Sequence, residues 1–100
     1  VLNRELGADF DLSCYAHYAL FDPVASQIEM HLVAMAPQRV RFAAHDRVLD
    51  LAEGDSLRTE ISRKFTAAAL EDLLRGAGFA IERHYAARDP AFSLVLARPA

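Results

Sequence analysis

The run Phe92-Ser93-Leu94-Val95-Leu96-Ala97 is the strongest constraint on what this chain can fold into. Side chains alternate along a strand, and here both faces are apolar apart from Ser93. Such a strand wants cover on both sides, as in the middle of an α/β sheet. One segment has the makings of a covering helix. Thr66 is a good N-cap, and Ala67 to Arg75 is strong helix sequence. Leu70, Leu73, Leu74 and Ala77 make its apolar stripe, Gly76 weakens its last turn and Gly78 ends it. A single helix does not cover two faces, so partner elements are expected elsewhere. The start of the chain points the same way. Val1 to Leu6 reads as the last turns of a helix closed by Gly7, with no N-cap and no initiating methionine. The expectation is the C-terminal piece of a longer protein.

Ahead of the helix the pattern is one of short strands. Asp11 can cap a helical turn at Leu12-Ser13-Cys14, followed by strands at Ala16–Phe21 and Gln27–Met35 with a turn at Asp22-Pro23. Arg39 to Phe42 alternates polar and apolar, His45-Asp46 is a hairpin turn, and Val48–Leu51 is a short strand. Glu53-Gly54-Asp55 turns into the strand Leu57–Phe65. Five strands at short spacing predict an antiparallel meander. After the helix, Phe79–Tyr85 is a strand and Arg88-Asp89-Pro90 a turn. The fold class expected is therefore α+β.

Composition narrows the function classes. Of 100 residues, 53% are hydrophobic and the net charge is −3, which permits a core and argues against disorder. The eleven basic residues are scattered, against a nucleic-acid binder. No apolar run approaches the ~18 residues of a spanning helix, and no signal-peptide pattern is present. The single cysteine, Cys14, excludes an internal disulfide and fits a reducing, cytoplasmic setting. Histidines 17, 31, 45 and 84 match no helical zinc spacing, although His17 and His31 could approach across neighbouring strands. Ser13 or Tyr15 beside His17 lacks an oriented third group or a nucleophile elbow.

The strand at Leu57–Phe65 carries the most suggestive chemistry. Strict alternation puts Ser56, Arg58, Glu60, Ser62 and Lys64 on one face, with Leu57, Ile61 and Phe65 on the other. A carboxylate and a hydroxyl side by side can grip a polar donor. Taken alone, Glu60 is a solvated or ion-paired side chain, Ser62 a surface hydroxyl, and Met30 a core residue between Ile28 and Leu32.

Set in order, these residues resemble a known family. Asn3-Arg4-Glu5-Leu6-Gly7, Asp9-Phe10-Asp11-Leu12, His17, Ile28-Glu29-Met30-His31-Leu32, Gly54, Thr59-Glu60, Ser62, Lys64-Phe65 and Ala77-Gly78-Phe79 fall in sequence. The pattern is similar to the C-terminal part of the histidine-specific, S-adenosylmethionine-dependent N-α-methyltransferases of ergothioneine biosynthesis. The resemblance implies that residues 1–64 are a substrate-binding region. Residues 65–100 would be the last helix and antiparallel strand pair of the class I methyltransferase sheet. The substrate it implies is free histidine, trimethylated on its α-amine. Glu60 would accept a hydrogen bond from the imidazole N–H, Ser62 would assist at the ring, and Met30 would pack against it. A site built on polar partners rejects apolar side chains, because its own groups would be left unpaired.

The chain departs from the family at Ile61, where many members have asparagine, and at Arg63, where many have tyrosine. His84-Tyr85 stands where a tryptophan is usual. These positions leave room for a different substrate, although Glu60 favours histidine. Glycines lie only at 7, 54, 76 and 78, so no glycine-rich cofactor loop is present. The expectation is that S-adenosylmethionine is bound by a missing upstream region and that this piece alone is inactive. The alternative is a non-catalytic binding module that keeps the fold. A piece with exposed sheet edges could also pair with a copy of itself.

Overall fold

The computed structural model describes residues 1–89 and 91–100. The fold is α+β: antiparallel strands dominate, with two helices among the described residues. The chain divides into two compact units, Val1–Arg63 and Lys64–Ala100.

In the first unit a short helix α1 (Leu2–Glu5) and a 3-10 turn (Leu12–Cys14) precede β1 (Tyr15–Asp22) and β2 (Gln27–Ala34). Then come β3 (Gln38–Phe42), a second 3-10 turn (Ala43–His45), β4 (Arg47–Leu51) and β5 (Ser56–Arg63). The expected turns form. Asp11 caps the first 3-10 turn, its carboxylate accepting from the Ser13 amide at 3.0 Å and the Ser13 hydroxyl at 2.6 Å. Asp46 closes the β3–β4 hairpin in the left-handed region, at φ 49°. Gly7 follows α1 at φ 58°, and a Cβ there would sit 3.3 Å from that of Ala43. The backbone therefore turns tightly against the end of β3. Asn3 clamps this corner from the other side, exchanging two hydrogen bonds with the Phe10 backbone at 2.8 and 2.9 Å.

The single meander expected from the spacing does not form. The strands make a sheet of order β1-β2-β5 and a separate β3-β4 hairpin, all pairs antiparallel. Strand length and the turn before β5 account for it. β1, β2 and β5 are eight residues each, whereas β3 and β4 are five. The Ala34 amide donates to Asp55 O and the Gly54 amide to Ala34 O, both at 2.8 Å. These bonds hold the start of β5 against the end of β2 and leave β3-β4 as an excursion between them. Among the described residues the buried apolar side chains are Ala8, Ala34, Val40 and Leu51, with Ala34 and Val40 only 1% exposed. Phe10 lies edge-on to Phe42 and tilted against Tyr15.

The second unit holds α2 (Ala67–Gly76), β6 (Phe79–Arg88) and β7 (Ala91–Pro99). Thr66 caps α2, its hydroxyl accepting from the Ala69 amide at 3.1 Å. The helix ends as expected, with Gly78 at φ 83°. β6 and β7 pair antiparallel, and α2 packs on β6. Of β7, Val95 and Ala97 are half-buried, whereas Phe92, Leu94 and Leu96 are exposed. Both strands run longer than expected, and Pro90 of the expected connecting turn lies outside the described residues.

Candidate functional site

β2 is the centre of the first sheet, and its neighbours on either side set what stands beside Met30. Met30 lies opposite Ala19 of β1 and opposite Glu60 of β5. One row along, Ile28 lies opposite Phe21 and Ser62. Directly opposed residues of an antiparallel pair project from the same face. Met30, Glu60 and Ser62 therefore share a face, with Phe21 beyond them. Met30 and Ser62 are half-buried and Glu60 is exposed. Glu60 and Ser62 are two residues apart on one strand, roughly 7 Å along it. That spacing suits two groups addressing opposite sides of one small planar ring.

Strict alternation does not hold along β5. The register shifts between Met30 and His31: Met30 opposes Glu60, while His31 opposes Arg58. Thr59 is the extra residue, a β-bulge. The continuous polar face expected from Ser56 to Lys64 is therefore broken. Leu57, opposite Leu32, lies on the face of Glu60 and Ser62, and Arg58 lies on the other with Ile61. β5 also ends at Arg63, before Lys64 and Phe65. The Thr59 hydroxyl donates to the Met30 carbonyl at 3.2 Å, where the register shifts.

The opposite face carries a polar cluster that the sequence reading missed. Gln27 Nε2 donates to Glu29 Oε2 at 2.6 Å, and Arg58 Nη1 reaches the same oxygen at 3.2 Å. His31 Nε2 lies 3.1 Å from Glu29 Oε1. The Glu29 and His31 side chains are only 12% and 15% exposed. The Gln27 hydrogen bond, then that of His31, then the Arg58 charge hold the Glu29 carboxyl below its ordinary range, against the effect of burial. Gln27-x-Glu29-x-His31 was the available signal, since that spacing lines one face of a strand with polar groups.

His17 and His31 do not come together. His17 opposes Leu32 and His31 opposes Tyr18, so the two imidazoles belong to opposite faces. Among the described residues no three His, Cys, Asp or Glu side chains gather as a metal site. The Tyr15 hydroxyl is buried without a hydrogen-bond partner among the described residues, and burial raises its pKa. A concavity of about 470 Å³ lined by Leu6, Phe42, His45, Arg47, Val48 and Leu49 contains none of Met30, Glu60 and Ser62. No helix among the described residues is long and apolar enough to cross a membrane.

Gly7, Gly54 and Gly78 occupy single turns at positive φ, and Gly76 lies in α2.

Histidine N-alpha-methyltransferase of Mycolicibacterium smegmatis is 48% identical over 65 residues, which are 65% of this chain and 20% of that protein. Histidine N-alpha-methyltransferase of Mycobacterium tuberculosis is 42% identical over 78 residues, 78% of this chain and 24% of that protein. The chain thus spans about a fifth to a quarter of the length of these relatives. The model of a family described as histidine-specific methyltransferase, SAM-dependent, matches residues 1–99. With nearly its whole length matched, this chain belongs to the histidine-specific, SAM-dependent methyltransferase family.

Proposed function

We propose that this chain supplies one wall of the substrate pocket in a histidine N-α-methyltransferase. Glu60 accepts a hydrogen bond from the imidazole N–H of free histidine. Ser62 serves the other side of the ring, and Met30 packs against its face. The observation that carries this reading is the register: Met30 directly opposite Glu60, with Ser62 one row along on the same face. Ring, carboxylate and thioether then meet without any strand having to move.

Residues 1–64 are in this reading the substrate-binding region. Residues 65–100 are the last helix and strand pair of a class I methyltransferase sheet. The exposed Phe92, Leu94 and Leu96 support it, because a strand inside such a sheet is apolar on both faces. The reaction is methyl transfer to the α-amine of histidine, ending in trimethylhistidine, as the opening step of ergothioneine biosynthesis. S-adenosylmethionine supplies the methyl group. In this reading the rest of the full-length enzyme holds it, and the piece alone is inactive and binds neither cofactor nor histidine well. What the chain contributes is selection and orientation of the ring, which fixes where the amine lies. A single cysteine and the absence of a basic excess support a cytoplasmic enzyme that acts on a small molecule.

Calorimetric titration of histidine into the full-length protein tests this assignment. Glu60→Gln keeps the shape and removes the charge. The expected loss of affinity is on the order of tenfold to a hundredfold, as for a hydrogen bond to a charged group. Unchanged affinity would remove Glu60 from the pocket.

A further inference from the structure

We infer that Thr59 is a positioning residue for substrate recognition: its bulge, braced by two hydrogen bonds to β2, is what sets Glu60 beside Met30. The inference rests on the pocket reading above and concerns how that pocket is built. Two demands fall on neighbouring residues of β5. Arg58 must face Glu29, to which it bonds at 3.2 Å, and Glu60 must face Met30, its partner across the ladder. Glu29 and Met30 are adjacent on β2 and therefore point to opposite faces. Arg58 and Glu60 are two apart, and in a regular strand they would point to the same face. A regular β5 meets one demand or the other. One extra residue meets both, and Thr59 is that residue.

The bulge is held from two directions. The Thr59 hydroxyl donates to the Met30 carbonyl at 3.2 Å, which ties the extra residue to the backbone of the residue that Glu60 opposes. On the far face the Arg58 guanidinium is tied to Glu29, which Gln27 and His31 hold in turn. Glu29 is mostly buried, so this brace is anchored in the sheet rather than floating in solvent. A β-bulge beside a site re-aims a side chain, and here the side chain re-aimed is the carboxylate that reads the ring.

The test uses the full-length protein and four forms: wild type, Glu60→Gln, Thr59→Val and Thr59→Ser. Histidine affinity is measured by calorimetry, and KM and kcat by steady-state methylation. Thr59→Val keeps the shape and removes the donor. It is expected to raise the histidine Kd and KM about five- to tenfold, as for one lost hydrogen bond, with kcat nearly unchanged. Thr59→Ser restores the donor and is expected to bind like wild type. If Glu60→Gln weakens binding while Thr59→Val does not, the positioning role is overturned and the pocket reading stands. A Thr59→Ser variant as weak as Thr59→Val also overturns it, because the hydroxyl then does nothing. If Glu60→Gln binds normally, the pocket reading falls and this inference with it. Should Thr59→Val fail to fold, Arg58→Gln loosens the other brace at a half-exposed side chain. It is expected to raise KM about two- to threefold, the effect of a weak ion pair, and an unchanged KM overturns the inference.

Discussion

The two faces of the β1-β2-β5 sheet are built from the same three strands and use their charges in opposite ways. On one, Glu29 is satisfied within the protein by Gln27, His31 and Arg58. On the other, Glu60 stands exposed beside the half-buried Met30 and is no part of that network. A carboxylate bound to its own neighbours stabilises a fold. A carboxylate held in a fixed place but left outside such a network can recognise something else. Both glutamates lie on strands among alternating polar residues, and the pairing of strands shows which of them is tied to its neighbours.

Several changes would break this contrast. Glu60→Gln is expected to have the largest effect on histidine affinity of the full-length protein, measured by calorimetry, and it separates affinity from stability: an exposed carboxylate contributes little to folding, so its thermal midpoint should match wild type. Glu29→Gln should show the reverse emphasis, with a lowered midpoint and a smaller loss of affinity passed on through Arg58.

Acid should act on the Glu29 face first. The carboxyl of Glu29 is held below its ordinary value of 4.5, so the network stabilises the fold above that pH. The contribution is lost as pH falls through the lowered value. An acid titration followed by circular dichroism should therefore show a steeper loss of stability below pH 4.5 in wild type than in Glu29→Gln. The smallest effect serves as a control away from both faces. Thr66→Ala removes the cap of α2 and should cost about 1 kcal/mol of stability with no change in histidine affinity.

Much of the local structure was legible in the sequence. Thr66, Asp11, Gly7 and Gly78 act through their own few neighbours, so their effects can be read from a short window. The strands were legible for the same reason, to within a few residues at their ends. Their pairing was not. Whether β5 returns to β4 or to β2 depends on hydrogen bonds between Ala34, Gly54 and Asp55, some twenty residues apart. The bulge at Thr59 was hidden too. Nothing in Leu57 to Ile61 announces an extra residue, and it is visible only against the partner strand. Of the site, the residue types and the shared face of Glu60 and Ser62 were legible. The nearness of Met30 came from resemblance rather than from periodicity, and the register now gives it a geometry.

The order β1-β2-β5 leaves β5, the strand of Glu60 and Ser62, paired on one side only within its sheet, whereas β2 is paired on both. Edge amides open more readily than central ones. Backbone hydrogens of β5 should therefore exchange with solvent faster than those of β2. A ligand that bridges Glu60 and Met30 would tie that edge to the sheet's middle. The occupied pocket would then reveal itself as slowed exchange along β5, a record of binding written in the backbone rather than in the side chains that make the contacts.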